Sequence, residues 1–254
     1  MTRRDGTAVS PGDSKAEEDN WTAAVLALAT VMMPDHPHAD AWRRRNTELL
    51  AAAAAAPADL TGDTVLNGIR LSKWLQGTNI ADDGTLENHS RLHPLYMVSF
   101  DQSLYQGFTF GLAGHSAPKA ALHNIDRVYR ALVELEFPAP DGGTTIYQPD
   151  SPTIYYPEGN DWGTHFPFYF GSFDLLVSLT GQDAGLARKA DMWEELHNED
   201  QLALMARFTD GRTYGANGEN TYYGREHRIG VMAAQSYLTL FLARNDDGGK
   251  LRWR

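Results

Sequence analysis

From Glu17 to Met33 the apolar residues Trp21, Val25, Leu28 and Met32 recur every three or four positions, and Pro34 stops the run. That is the period of one stripe on a helix. A second run, Ala39 to Ala56, carries Trp42, Leu49 and a string of alanines, the best helix formers, and ends at Pro57. The short DHPH between them predicts an αα-hairpin. From Leu95 to Leu112 the residues Tyr96, Phe100 and Leu104 share a stripe, while Ser116 and Pro118 supply the cap and first-turn proline of a helix holding Leu122, Ile125, Tyr129 and Leu132. This predicts a second hairpin. Further helices are expected over 168–179, 184–207 and 225–243. The pattern reads as an all-α array of antiparallel helical hairpins forming one domain over 1–254, with 1–15 and 245–254 as flexible ends.

Two long polar stretches interrupt the helices. GGTTIYQPDSPTIYYPEGNDWGTH (142–165) suggests short strand-like pieces, and FTDGRTYGANGENTYYG (208–224) is a second loop; both are too aromatic for disorder, and loops of this length in a helical domain usually carry function. A chain of 254 residues with 42% hydrophobic and 11% aromatic content can fill a sizeable core. Charge narrows the partners. With 33 acidic residues against 22 basic ones the formal charge is -11, which argues against nucleic acid and anionic membranes. No run reaches the roughly 18 apolar residues of a membrane helix, and MTRRDGTAVSPGDSK has no apolar segment of the signal-peptide kind, so the cytoplasm is the default expectation. The absence of cysteine removes disulfides, thiol nucleophiles and zinc-thiolate sites. GxGxxG, P-loop, GxSxG and HExxH motifs are absent too.

The densest chemistry lies in NIADDGTLENHSRLHP (79–94), which crowds acids, a glycine, an amide and two histidines into one loop. Abstracting the proton beside a uronate carboxylate requires a group to neutralise the carboxylate, a base, and an acid for the departing glycosidic oxygen. Asn88 can donate to a carboxylate, His89 is a base suited to neutral pH, and Tyr96 can protonate the leaving group or, ionised, act as base. Arg225, Glu226 and His227, beside Tyr222 and Tyr223, can form another wall, and Tyr155, Tyr156, Trp162 and His165 alternate with polar groups as sugar-stacking residues do.

The segment KAEEDNWTAAVLALATVMMPDHPHADAWRRR, with the order Asp83–Gly84, Asn88, His89, Tyr96, resembles bacterial heparinase II/III-like proteins and related polysaccharide lyases. The resemblance implies an incomplete α/α toroid and β-elimination on uronic-acid-containing oligosaccharide or polysaccharide, with Asn88, His89, Tyr96 and Arg225 catalytic. It implies Tyr155, Tyr156, Trp162, His165, Tyr223, Glu226 and His227 as substrate-binding residues. The seven or so expected helices fall short of a full toroid, so a homo-oligomer or a partner chain is expected to complete it. No cofactor is required. A divalent cation is compatible with Asp82, Asp83 and Glu87, with His89 and His165 as further ligands.

Two other readings stay open. One is a glycoside hydrolase using two of Asp82, Asp83, Glu87 and Asp161 as acid and base. The other is a non-catalytic carbohydrate-binding or interaction protein. Plainer roles compete for most of these residues. Asp82 and Asp83 before Gly84 favour a turn, His93 before Pro94 favours capping or packing, Tyr96 lies on an apolar stripe, and Arg225–Glu226 suits a helix-start ion pair. Glu17, Glu18 and Asp19 read as first-turn acids without further role, and His36 and His38 as solvated turn residues. An anionic substrate requires a local positive cleft drawn from Arg70, Lys73, Arg91, Arg225 and Arg228.

Overall fold

The computed structural model describes residues 12–140, 142–163 and 165–245, and these are mostly helical. Helices α1 (Ala16–Met32) and α2 (Ala39–Ala53) form the expected hairpin, with His36 and His38 exposed in its turn. Its facing is not the expected one. Ala16, Ala23 and Ala27 are buried with Asp19, Asn20 and Thr30, whereas Trp21, Val25, Leu28 and Met32 are 49%, 67%, 52% and 70% exposed. Small side chains let the α1 backbone lie close to its neighbours, and the polar groups on that face find partners across the gap. Asn46 Nδ2 of α2 donates to the Ala23 carbonyl at 2.7 Å, and Ser103 Oγ donates to Asn20 Oδ1 at 2.6 Å. A buried polar group costs little once so bonded.

Pro57 begins a new short helix, α3 (Pro57–Thr61), whose fixed φ suits a first turn and whose Asp59 accepts the Ala56 N–H. Next comes an antiparallel hairpin, β1 (Val65–Leu66) with β2 (Ile69–Arg70), turning through Asn67 and Gly68 at φ 48° and 81°, followed by α4 (Leu71–Trp74). A second hairpin, β3 (Glu87–Asn88) with β4 (Arg91–Leu92), leads into α5 (Pro94–Met97), a 3-10 turn over 98–100 and α6 (Asp101–Leu112). Helix α7 (Ile125–Val133) packs chiefly on α5 and on α8 (Pro167–Thr180), so the second expected hairpin is replaced by this longer-range packing. Between α7 and α8 runs a third ribbon, β5 (Glu136–Ala139) with β6 (Gly142–Thr145). Helix α9 (Ala190–Met205) pairs with α8, and α10 (His227–Asn245) lies on α8 and α6.

Helix α8 runs through the core, burying Phe170, Phe173, Leu176 and Val177 among Tyr129, Tyr147 and Trp193. Its wholly buried Asp174 accepts hydrogen bonds from Tyr129 and Tyr147, both at 2.9 Å, and lies 2.6 Å from His197 Nδ1. Among the described residues no helix is long and apolar enough to cross a membrane. The expected loose ends fall largely on 1–11 and 246–254, outside the described residues. Residues 12–15 are bonded instead: Ser90 N–H reaches the Gly12 carbonyl at 2.7 Å and Ser14 N–H the Glu87 carbonyl at 3.0 Å.

Candidate functional site

The β3–β4 hairpin turns through His89 and Ser90, with φ of 52° and 57°. Two-residue hairpin turns of this kind require positive φ at both positions and normally use Asn-Gly. For L residues without that habit the left-handed region costs about 1–2 kcal/mol each. Local bonds hold the turn in place. Asn88 Oδ1 accepts the His89 N–H at 2.8 Å, Asn88 Nδ2 donates to the Ser14 carbonyl at 3.2 Å, and the Gly12–Ser14 segment is bonded along the hairpin.

The turn presents the His89 ring to Asp161, in the loop before α8. His89 Nδ1 is 2.8 Å from Asp161 Oδ2, His93 Nε2 is 3.2 Å from Asp161 Oδ1, and Tyr96 Oη is 3.2 Å from His89 Nε2. Trp162 packs edge-on or tilted against all three rings, with centroids 5.2–5.9 Å away. Desolvation opposes the charge on Asp161, but hydrogen bonds from His89 and His93 outweigh it and hold the carboxyl below its ordinary range. An ionised Asp161 accepts from both rings. His89 then carries its proton on Nδ1, which leaves the Nε2 lone pair to accept the Tyr96 hydroxyl. Burial, followed by the charges of Glu17 and Glu18, raises the Tyr96 phenol, so it stays protonated. Burial lowers His93, whose Nδ1 is enclosed without a partner.

Beside this chain of groups is a narrow crevice lined by Glu17 and Trp21 of α1, Tyr96, Trp162, Tyr169 of α8 and Arg228 of α10. Burial pushes the Glu17 carboxyl up to about 7. Desolvation works against charge on Arg228, but its hydrogen bond to Tyr169 and the nearby Tyr222 and Asp101 hold the guanidinium's pKa above its usual value. A wider hollow lies between α2 and the end of α6, but its Arg43 and Arg44 are paired with Asp40 and Glu48. The crevice is lined by the Tyr96 phenol, the Glu17 carboxyl and an aromatic wall, and it adjoins His89 through the Tyr96 hydrogen bond, so it is the better candidate.

The expected residues divide. His89, Tyr96 and Trp162 come together. Asn88 is buried and turned toward Ser14 and its own hairpin. Asp83 makes the turn, accepting the Thr85 N–H at 2.9 Å and hydroxyl at 2.7 Å. Asp82 accepts the Ala58 N–H at 3.1 Å in the first turn of α3 and faces Arg127, while Glu87 is exposed on β3. These three acids do not gather round His89. Among the described residues the group with metal-ligand spacing is His89, His93 and Asp161. Tyr155 Oη donates to the Pro138 carbonyl at 2.6 Å, and Tyr156 packs against the core. His165 faces Glu219 at 3.9 Å. Arg225 is exposed and bonds the Thr221 carbonyl; Tyr223 and His227 are exposed, and Glu226 lies 3.5 Å from the Thr213 nitrogen.

Sequence reasoning underrated His93 and Glu17 and weighted Arg225 over Arg228. The histidine spacing at 89 and 93 was visible, but nothing local joins them to Asp161, which lies 72 and 68 positions further along the chain. No family model and no solved structure matches the chain. Among curated proteins, 147 residues, 56% of this chain, are 27% identical to part of the non-reducing polyketide synthase adaA of Aspergillus niger, and the match spans 8% of that protein's length.

Proposed function

We propose that the protein is a lyase that cleaves uronic-acid-containing oligosaccharide or polysaccharide by β-elimination, on a fold that is an incomplete α/α toroid. The observation that carries this reading is the Asp161–His89–Tyr96 chain, in which a base and a neutral acid lie 3.2 Å apart. His89 Nε2 takes the C5 proton as the C4–O bond breaks, and Asp161 stabilises the imidazolium that forms. Tyr96 gives its proton to the departing O4. The imidazolium then reprotonates Tyr96 through their existing hydrogen bond, so the net transfer is one proton from C5 to O4 and the site is restored.

Arg228, which lines the crevice, is the cation proposed to meet the uronate carboxylate, the role the sequence suggested for Asn88. Trp162 supplies the apolar wall. The product carries a conjugated C4–C5 double bond, and its ultraviolet absorbance should rise when the protein meets its uronate substrate. His89→Ala and Tyr96→Phe should each lower turnover by about 10² or more, the scale of a positioned acid or base. A panel of uronate polymers and oligomers giving no such absorbance would end the proposal.

One feature favours a second reading. Glu17, up to about 7, and the depressed Asp161 differ in protonation as the acid and base of a glycoside hydrolase do. New reducing ends without the ultraviolet signal would select it.

A further inference from the structure

One ligand atom from each of His89, His93 and Asp161 lies within 4.8 Å of the other two. Ligand atoms that share a cation at bond lengths of about 2.0–2.2 Å are roughly 3.0–3.5 Å apart, and Asp161 already stands 2.8 Å from His89 Nδ1 through Oδ2 and 3.2 Å from His93 Nε2 through Oδ1. The donors are two imidazoles and one carboxylate, the set that suits zinc, iron or manganese more than calcium or magnesium. The two rings are held before any ion arrives. His93 is wholly buried against Tyr96 and Trp162, and His89 sits in the left-handed turn described above. His89 and Asp161 have side-chain exposures of 36% and 37%, so the trio is open to solvent.

We infer that His89, His93 and Asp161 bind one divalent transition-metal ion, with zinc as the representative, and that the bound ion switches the acid–base relay off. The second half rests on the lyase reading. A neutral imidazole has one nitrogen lone pair to offer. If His89 Nδ1 gives it to a metal, Nε2 keeps the ring's proton and cannot take another from C5. Asp161 is drawn to the ion as well and no longer orients the ring. The metal-free protein is then the active form, and the ion is an inhibitor that competes for the base.

The test begins with chelator-treated protein titrated with zinc chloride by calorimetry, and with cobalt(II) followed by its visible d–d absorption. One saturable ion per chain is expected. His89→Ala and Asp161→Asn, one an exposed position and the other isosteric, should each weaken binding by about tenfold or more. His36→Ala, at an exposed histidine in the α1–α2 turn, should leave it unchanged. His93→Ala is less useful because the buried ring also packs. Absence of saturable binding, or equal affinity in the His89 and Asp161 variants, overturns the site and leaves the lyase proposal standing. Stoichiometric binding with no elimination product from metal-free protein supports the site and removes the lyase. If both hold, one equivalent of zinc should abolish elimination and chelation should restore it; full activity with the ion bound overturns the switch.

Discussion

Asp101 shows how much a single burial can do. It lies at the start of α6, enclosed, with Oδ1 lacking a partner, and burial pushes its carboxyl up to about 8 from an ordinary 3.8. Between those values the folded protein holds a proton that the unfolded chain has released. Stability from this group is therefore present in acid and falls as pH rises through about 4 to about 8, the reverse of the usual carboxylate effect. Asp101→Asn, which keeps the shape and removes the charge, should flatten that part of the pH profile and raise stability most at the alkaline end. Urea midpoints of both proteins across this range give the comparison, and parallel profiles would refute it. Single residues were also where the sequence said least. Arg225 lies just before α10 and Arg228 in its first turn, three positions on, and the packing of that helix on α8 brings Arg228 to the crevice.

Helix α1 separates what a pattern predicts from what packing selects. Its existence and limits were legible from the spacing of Trp21, Val25, Leu28 and Met32 and from Pro34, yet the buried face is the alanine one. Periodicity marks a stripe without saying which stripe allows the closest approach. Leu28→Glu should therefore change stability by only about 0.5 kcal/mol or less, as for exposed positions, whereas Ala27→Leu should cost about 1–3 kcal/mol by overpacking. Chemical denaturation that reversed this order would restore the original facing. The β-hairpins divide in the same way. Asn67–Gly68 carries the strongest short hairpin signal a sequence has, but strands of two residues show no alternation beside it. His89–Ser90 carries no such signal, because the turn is fixed by bonds from Gly12 and Ser14. Ser90→Gly should relieve about 1 kcal/mol of strain, read as a higher denaturation midpoint; an unchanged or lower one would count against strain in the turn.

At the scale of the whole molecule the charge of -11 surrounds a crevice holding few cations. For an anionic polymer the long-range field is repulsive, and salt screens it over about 10 Å at 0.1 M. On the lyase reading, kcat/KM on a long uronate chain should rise as ionic strength increases from about 0.01 to about 0.1 M, while a disaccharide shows less effect. A fall for the polymer would mean that the local cations outweigh the global field. The helical class was legible because periodicity is local; the site was not, because it joins segments near 17, 89, 161 and 228. The walls of the crevice come from the first and last of the described helices, with Glu17 and Trp21 on one and Arg228 on the other. During synthesis, the hairpin bearing His89 and the loop bearing Asp161 emerge well before α10. On the lyase reading, a nascent chain therefore contains the residues of its proton transfer before the cation proposed to anchor an anionic substrate beside them. Competence, on that same reading, waits for the final described helix, because it carries Arg228.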